Sequence, residues 1–292
     1  MRVNTASRTA QYMALYRAIE SERPRNRRLF DDPYAIHFLD KGLQIATRTA
    51  ALPLGERLLY SYMQRRIPGA LASGLARTRY IDDLLEKTIR EGIRQVIVLG
   101  AGYDTRSLRL NSLHDVRVIE IDHPDTARRK LELLKRASIP LPDNTRYLTI
   151  DFNRQDLREL FDQQRVDCSL PTTLIWEGVT NYLEEEAIAK TFILAAKFPA
   201  GSHFIFTYID RKVLEEPTAF FGAERLLKDL NEIEEKWTFG FTPAALPAYL
   251  SILGWKLQED TGAADYRQRY LSERTAILRG YEFYRVAMAI RS

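Results

Sequence analysis

Two glycines in one short turn are the residues best suited to bind a ligand. The apolar run Gln95–Leu99 leads directly into Gly100, Ala101 and Gly102, and a helix is expected to follow. Glycine adopts backbone angles that other residues avoid, and its lack of a side chain lets a flat or extended ligand approach closely. The turn therefore predicts a nucleotide-derived ligand at these three residues. A purely conformational role for the glycines is the alternative.

The residues around this turn restrict which ligand it would hold. The dinucleotide fingerprint needs a third glycine where Thr105 stands, and Asp104 beside it disfavours a pyrophosphate. Asp122 ends the next strand, where a carboxylate can accept hydrogen bonds from both ribose hydroxyls. Glu120 points to the same face but lies farther from the strand tip. We therefore expect an adenosyl ligand without a pyrophosphate, such as the sulfonium S-adenosylmethionine (SAM).

Alternating apolar runs and helical stretches from residue 92 onward predict parallel βαβ units in one sheet. Five strands are expected at Gln95–Leu99, Arg117–Asp122, 146–151, Thr172–Trp176 and His203–Ile209. Two further runs, 255–259 and 284–290, could close the sheet as an antiparallel pair. Between them we expect a loop at 260–269 and a helix near 271–279. The fold class is thus a doubly wound α/β sheet.

The parts outside this sheet are expected to be helical. Residues 1–90, with helices over 9–20 and 77–90, are interpreted as an N-terminal cap that contributes to the ligand site. The core is then 91–292. Within it, an insertion at about 211–242 contains a charged helical stretch, 211–236, and could be a lid over the carboxyl ends of the strands. A surface helix that moves nothing is an equally good interpretation.

The composition is that of a globular enzyme, with 45% hydrophobic and 28% charged residues among 292. Neither an 18-residue apolar run nor a signal peptide is evident, so we expect a cytoplasmic protein with no membrane partner. One cysteine, Cys168, and four scattered histidines predict neither a disulfide nor a metal site. The oligomeric state stays open.

The formal net charge of +4 is accompanied by an arginine-rich N-terminal region. The arginines of residues 1–30 are Arg2, Arg8, Arg17, Arg23, Arg25, Arg27 and Arg28. A solvated basic face is the preferred interpretation. A guide for an acidic substrate or for nucleic acid is the alternative, although we expect no nucleic-acid partner.

Several short motifs, taken together, resemble the leucine carboxyl methyltransferase family. In the order of that family they are Asp32-Pro33-Tyr34, Ala76-Arg77, the glycine turn, Glu120 to Pro124, Asp151-Phe152 and the run around Glu177. The resemblance spans roughly residues 9–186 and fades in the C-terminal third. It implies a Rossmann-like methyltransferase sheet of seven strands, with SAM as methyl donor and S-adenosylhomocysteine (SAH) as product.

The resemblance also implies roles for individual residues. Arg77 matches an arginine that pairs with the methionyl carboxylate of SAM, a task suited to a planar, permanently charged guanidinium. Asp151 and Phe152 match the pair that recognises adenine, and Glu177 matches an acid near the reacting end of SAM. The alternative for either acid is a helix cap. Gly178 replaces a bulkier residue of some relatives, which could enlarge the acceptor pocket.

The expected reaction is methyl transfer to oxygen, in which the protein aligns the nucleophile and excludes water. A carboxylate acceptor, with a pKa of about 4, arrives ionised and needs no base. We therefore expect methyl-ester formation on a small-molecule or peptide acceptor. A hydroxyl acceptor is the alternative and would benefit from a base such as His123, His203 or Glu177. A nicotinamide-dependent oxidoreductase and a non-catalytic, RNA-associated protein are weaker rivals.

The candidate acceptor pocket rests on aromatic and charged residues. We expect Tyr16, Arg17 and Tyr208 to contact the acceptor, with Arg17 able to hold an anionic one. Glu177 and Tyr182 are the candidate catalytic residues.

Overall fold

The computed structural model describes residues 8–152, 154–232, 235–272 and 279–292. Its α-helices are α1 (Arg8–Ser21), α2 (Lys41–Arg48), α3 (Pro53–Arg66), α4 (Ala70–Arg90), α5 (Arg106–Arg109), α6 (Pro124–Arg136), α7 (Leu157–Gln163), α8 (Glu185–Ala195), α9 (Lys212–Glu215), α10 (Ala223–Glu232), α11 (Leu246–Ile252) and α12 (Ala263–Tyr270). Its strands are β1 (Gln95–Leu99), β2 (Arg117–Asp122), β3 (Thr145–Thr149), β4 (Thr172–Trp176), β5 (His203–Ile209), β6 (Trp255–Gly262) and β7 (Tyr284–Arg291).

The strands form one seven-stranded sheet in the order β3-β2-β1-β4-β5-β7-β6. Strands β1 to β5 are parallel, and β7 runs antiparallel to both β5 and β6. This confirms the doubly wound α/β fold. The strand order changes direction between β1 and β4, where Leu99 lies opposite Trp176. Ligands of open α/β sheets bind at the carboxyl ends of strands at such a point, so Gly100 and Glu177 begin the expected site.

Helices cover both faces of the sheet. The central strands β1 and β4 are buried along their whole length, as parallel strands covered on both sides must be. On one face, α1 and α4 share a hydrophobic cluster with the sheet, so the cap helices lie directly on the strands. On the other face, α7, α8 and α11 enclose a second cluster around Trp176 and Trp255. Because α1 and α4 pack on the strands, the cap is held beside the carboxyl end of β1.

The C-terminal elements differ from the expectation for 260–269. That stretch is not a loop, because β6 continues to Gly262 and α12 follows directly. Pairing with β7 holds the polar end of β6 in the sheet, and the Asp260 carboxylate accepts hydrogen bonds from Tyr208 Oη at 2.8 Å and Arg285 Nε at 2.9 Å. These long-range partners outweigh the local polar composition. The helix expected near 271–279 lies mostly outside the described residues.

The insertion after β5 is helical but interrupted. In place of one helix over 211–236, α9 ends before a short 3₁₀ turn, Pro217–Ala219, and α10 follows. Pro217 has no backbone N–H and cannot continue α9. Gly222 has a φ of +75°, and a Cβ there would stand 2.5 Å from the Pro68 carbonyl oxygen. The insertion thus packs closely on the cap, and its role as a lid stays a prediction.

The N-terminal arginines do not form one solvated face. Arg17 and Arg23 are buried, and Arg23 Nε lies 2.5 Å from Glu56 Oε1. Arg28 pairs with Asp31. Arg2 lies outside the described residues. Arg17, Arg23 and Arg28 therefore depart from the expected solvated basic face because each is paired with a carboxylate, whereas Arg25 and Arg27 are exposed.

A buried carboxyl group connects the cap helices and should make stability depend on pH. Glu20 of α1 is fully buried, accepts the Leu29 N–H at 2.7 Å and lies 3.4 Å from both Arg23 Nη1 and Tyr60 Oη. Burial raises the pKa of Glu20 to about 7, and Arg23 opposes this only in part. Between pH 4.5 and pH 7 the folded protein therefore keeps a proton on Glu20. The unfolded chain, in which this group has a pKa of 4.5, has already released it.

Replacement of Glu20 by glutamine should remove this dependence. A raised folded-state pKa stabilises the protein below pH 4.5, and this stability is lost as the pH rises through 7. The wild type should therefore lose about 2 kcal/mol relative to Glu20→Gln between pH 5 and pH 7. Urea unfolding of both proteins across this range measures the difference. A constant difference would show that Glu20 ionises normally.

Candidate active site

The turn after β1 has the backbone shape that its glycines allow. Gly100 and Gly102 have φ angles of +67° and +53°. The N–H groups of Gly100 and Ala101 both donate to the Ile121 carbonyl oxygen, at 2.8 and 3.1 Å. A Cβ on Gly100 would stand only 2.5 Å from Val179 Cγ2. The turn therefore requires glycine at position 100 for two reasons, the left-handed backbone and the close approach of the chain after β4.

Asp122 contacts the same turn from the end of β2. Its carboxylate accepts the backbone N–H groups of Gly102 and of His123, the latter at 2.6 Å. Burial raises its pKa, and these two N–H groups act in the opposite direction. Glu120 is buried instead against Lys130 and Ser107. Of these two carboxylates, Asp122 is therefore the one that contacts the glycine turn, and its role at the ribose stays a prediction.

Glu177, directly after β4, is held by two guanidinium groups. Its Oε1 accepts Arg77 Nε at 2.8 Å, and its Oε2 accepts Arg106 Nη1 at 3.0 Å. Burial alone would raise the pKa of Glu177, but Arg106 and Arg77 outweigh burial and lower it. Glu177 is therefore a stable anion and a weak base.

An ionic cluster beneath Glu177 was not expected from the sequence. Arg106 Nε donates to Asp82 Oδ1 at 2.8 Å, and Arg109 Nη1 lies 2.7 Å from Asp82 Oδ2. Arg106 also binds Asp104, whose pKa falls to about 2 because Arg106 and Lys130 outweigh the effect of burial. The one feature of the sequence that could have indicated this cluster is Asp82, an acidic residue in an apolar stretch of α4.

Aromatic side chains also belong to the region around Arg77. The Arg77 guanidinium carbon is 4.8 Å from the ring centre of Tyr284, a residue that sequence reasoning missed. Tyr16 packs on α4, where a Cβ on Gly74 would stand 2.6 Å from its Cδ2. Burial raises the pKa of Tyr16, and burial together with nearby charges raises that of Tyr182. Both hydroxyls stay protonated at neutral pH.

Two other expected pocket residues do not join this group. Arg17 is buried, with its Nε 2.8 Å from Asp32 Oδ2 and its Nη2 2.5 Å from the Tyr103 carbonyl oxygen. It contributes positive charge near Glu177 but has its own partners. Tyr208 packs in the hydrophobic cluster on the opposite face of the sheet and binds Asp260. Arg17 therefore lies near Glu177 but is bound to Asp32 and Tyr103, and Tyr208 lies on the other face of the sheet.

The adenine candidates lie just beyond β3. Asp151 follows the strand by two residues, and its Oδ2 is 3.6 Å from Arg154 Nε. Phe152 is partly buried against the hydrophobic cluster that contains Trp176 and Trp255. Because Thr149 pairs with Asp122 in the sheet, Asp151 lies at the same edge as the ribose candidate.

The residues at this edge have the chemistry that an amino-acid nucleoside requires. A carboxylate at Asp122 suits two ribose hydroxyls, a guanidinium at Arg77 suits a carboxylate, and a carboxylate at Glu177 suits an ammonium group. Within the described ranges, no cluster of three or more histidine, cysteine or acidic residues could hold a metal ion. The same ranges contain no helix long and apolar enough to cross a bilayer.

Comparison with known proteins identifies the family of this chain. A model of the leucine carboxyl methyltransferase family matches residues 10–196. A Streptomyces coelicolor protein described as a "putative S-adenosyl-L-methionine-dependent methyltransferase" is 32% identical over 208 residues, which cover 71% of this chain and 70% of that protein. A Parafrankia protein with the same description is 32% identical over 263 residues, or 86% of this chain and 77% of that one.

Solved structures share the fold along nearly the whole chain. A DUF574 family protein from Streptomyces avermitilis has a TM-score of 0.60 at 15% identity and covers 99% of both chains. A Thermobifida fusca protein described as a "putative methyltransferase" has a TM-score of 0.61 at 16% identity and covers 96% of this chain and 94% of that one. The family model matches more than half of the chain. The chain therefore belongs to the leucine carboxyl methyltransferase family and is a methyltransferase.

Proposed function

We propose that this SAM-dependent methyltransferase methylates an oxygen atom of a small-molecule or peptide acceptor, and that the preferred oxygen belongs to a carboxylate. The observation that carries this proposal is the pair of guanidinium groups on Glu177. They hold Glu177, the acid expected at the methyl-transfer end, in its ionised form with a lowered pKa. An acceptor that already carries a negative charge has no need of a stronger base.

The two tyrosine candidates also make poor bases. Tyr16 and Tyr182 have raised pKa values, so they can donate hydrogen bonds but do not take a proton at neutral pH. His123 accepts the Asp125 N–H at the start of α6, and His203 lies at the opposite end of the sheet beside Glu91. A hydroxyl acceptor, which must lose a proton, is therefore the weaker alternative. Family membership removes the nicotinamide alternative.

The residues predicted at the cofactor and at the methyl-transfer end then have separate physical tasks. Asp122 would hold the ribose, with Asp151 and Phe152 at the adenine. Arg77 would bind the methionyl carboxylate and Glu177 the ammonium group of the same tail. SAM supplies an electrophilic methyl group on a positively charged sulfur. Tyr182, with a protonated hydroxyl, would orient the acceptor oxygen.

Methyl transfer from radiolabelled SAM to matched acceptors tests the proposal. Benzoic acid and hexanoic acid should be labelled in preference to benzyl alcohol and hexanol, and alkaline treatment should release the label as methanol because the product is an ester. The kcat/KM for an acid should change less than about twofold from pH 6.5 to 8.5, since an acid with a pKa near 4 is ionised throughout. A base-stable product, or a rate rising about tenfold per pH unit, would favour a hydroxyl acceptor.

A further inference from the structure

Arg106 has no role in the proposed reaction so far, although it lies beside Glu177. Its side chain is 4% exposed, yet it forms ion pairs with three carboxylates that come from different parts of the chain. Asp82 belongs to α4, Asp104 to the glycine turn and Glu177 to the end of β4. One guanidinium thus joins the cap, the turn and the fourth strand at the point where they meet.

The two guanidinium groups on Glu177 are held differently. Arg106 is fixed by the buried carboxylates of Asp82 and Asp104. Arg77 also contacts the sulfur of Met13, at 3.1 Å, and the face of the Tyr284 ring. Arg77 is the group that the proposed function assigns to the ligand carboxylate, so it is the partner expected to exchange. Arg106, which is held by two further carboxylates, is the partner expected to stay.

This difference matters when a zwitterionic amino-acid tail binds. The carboxylate of the tail competes with Glu177 for Arg77, and the released Oε1 of Glu177 can then accept the ammonium group. Opposite charges are paired before and after the exchange. Arg106 donates to the other oxygen, Oε2, and can therefore keep the orientation of Glu177 when Oε1 changes partner.

We propose that Arg106 is a positioning residue that keeps Glu177 oriented and anionic after Arg77 moves to the ligand carboxylate. The inference rests on the proposed function, because it assumes a ligand with an amino-acid tail. The charged groups facing Glu177 are Arg106 of α5, Arg77 of α4, Arg17 of α1 and Asp104 of the turn. Without Arg106, burial and Asp104 would favour protonation of Glu177 whenever Arg77 is engaged elsewhere.

Two probes separate this role from a general structural one. SAH carries the amino-acid tail, and 5′-methylthioadenosine has the same nucleoside thioether without it. Arg106→Gln should weaken SAH binding about tenfold, as expected for loss of a charged hydrogen-bond network, while methylthioadenosine affinity changes less than about twofold. Isothermal titration calorimetry measures both. Arg106→Lys should recover part of the SAH affinity because it restores a cation.

Arg109→Gln is the matched control, since Arg109 is also buried on α5 and binds Asp82 with both terminal nitrogens. It should leave the ratio of SAH to methylthioadenosine affinity unchanged. Arg106→Gln combined with Glu177→Gln should bind SAH no more weakly than Glu177→Gln alone. In Arg106→Gln, SAH affinity should also fall as the pH is lowered from 8 to 6, whereas that of the wild type stays constant.

The outcomes distinguish the two proposals. The positioning role would be overturned if Arg106→Gln weakened the binding of SAH and of methylthioadenosine by the same factor. It would also be overturned if the losses of SAH affinity caused by Arg106→Gln and by Glu177→Gln multiplied in the double variant. With either of these outcomes, the proposed function would still stand if the wild type bound SAH. Failure of the wild type to bind SAH would instead refute the proposed function.

Discussion

Replacement of Asp122 by alanine is expected to weaken SAH binding by about 1,000-fold. Each hydrogen bond from a ribose hydroxyl to a carboxylate contributes about 2 kcal/mol, so losing both costs about 4 kcal/mol. The substitution also removes the acceptor for the N–H groups of Gly102 and His123, which shape the turn. Isothermal titration calorimetry with SAH measures the loss directly.

Asp125→Ala is the control for this experiment. Asp125 lies three residues further on, in the first turn of α6, and its carboxylate pairs with Arg128 at the surface. Its removal should change SAH affinity less than about twofold, apart from a small loss of helix stability. If Asp122→Ala bound SAH as tightly as Asp125→Ala, the ribose assignment would have to be abandoned.

Replacement of Gly100 by alanine should cost about 3 kcal/mol of stability and prevent SAH binding. A left-handed backbone costs alanine about 1–2 kcal/mol, and overpacking adds about 1–3 kcal/mol. The overpacking arises because the new Cβ would stand 2.5 Å from Val179 Cγ2. To relieve the clash, Val179 must move in the segment that follows Glu177. Urea unfolding and calorimetry measure the two effects.

Gly201→Ala isolates the backbone contribution to this result. Gly201 has a φ of +84°, but a Cβ there would meet nothing within 4 Å. This control should lose only about 1–2 kcal/mol and keep SAH affinity. The double substitution Gly100→Ala with Val179→Ala should recover part of the binding. Equal losses in Gly100→Ala and Gly201→Ala would show that the contact with Val179 is unimportant.

The fold was largely predictable because its signals are local. The runs that became β1, β2, β4 and β5 are apolar and bounded by polar residues, so their limits were correct. The end of β6 was missed because Asp260, Thr261 and Gly262 look like a loop in isolation. Their strand conformation depends on partners in β7, 25 or so residues away.

The site was predictable only in part. Gly100, Gly102 and Asp122 lie within one βαβ unit, where spacing alone indicates proximity, and the structure does bring them together. Arg106 and Tyr284 were missed because their relevant neighbours come from distant segments. The same reason explains Arg17, which we expected to contact the acceptor. Its carboxylate partner, Asp32, is visible only after the chain folds.

The position of β7 between β5 and β6 has a consequence for how the sheet assembles. Strand β6 precedes β7 in the chain, but within the described residues it pairs only with β7. It can therefore join the sheet only after β7 has paired with β5. A chain at that stage presents two open strand edges, which favour intermolecular pairing. Recovery of native protein after dilution from denaturant should therefore fall steeply with protein concentration, and a chaperone that shields strand edges should raise the yield.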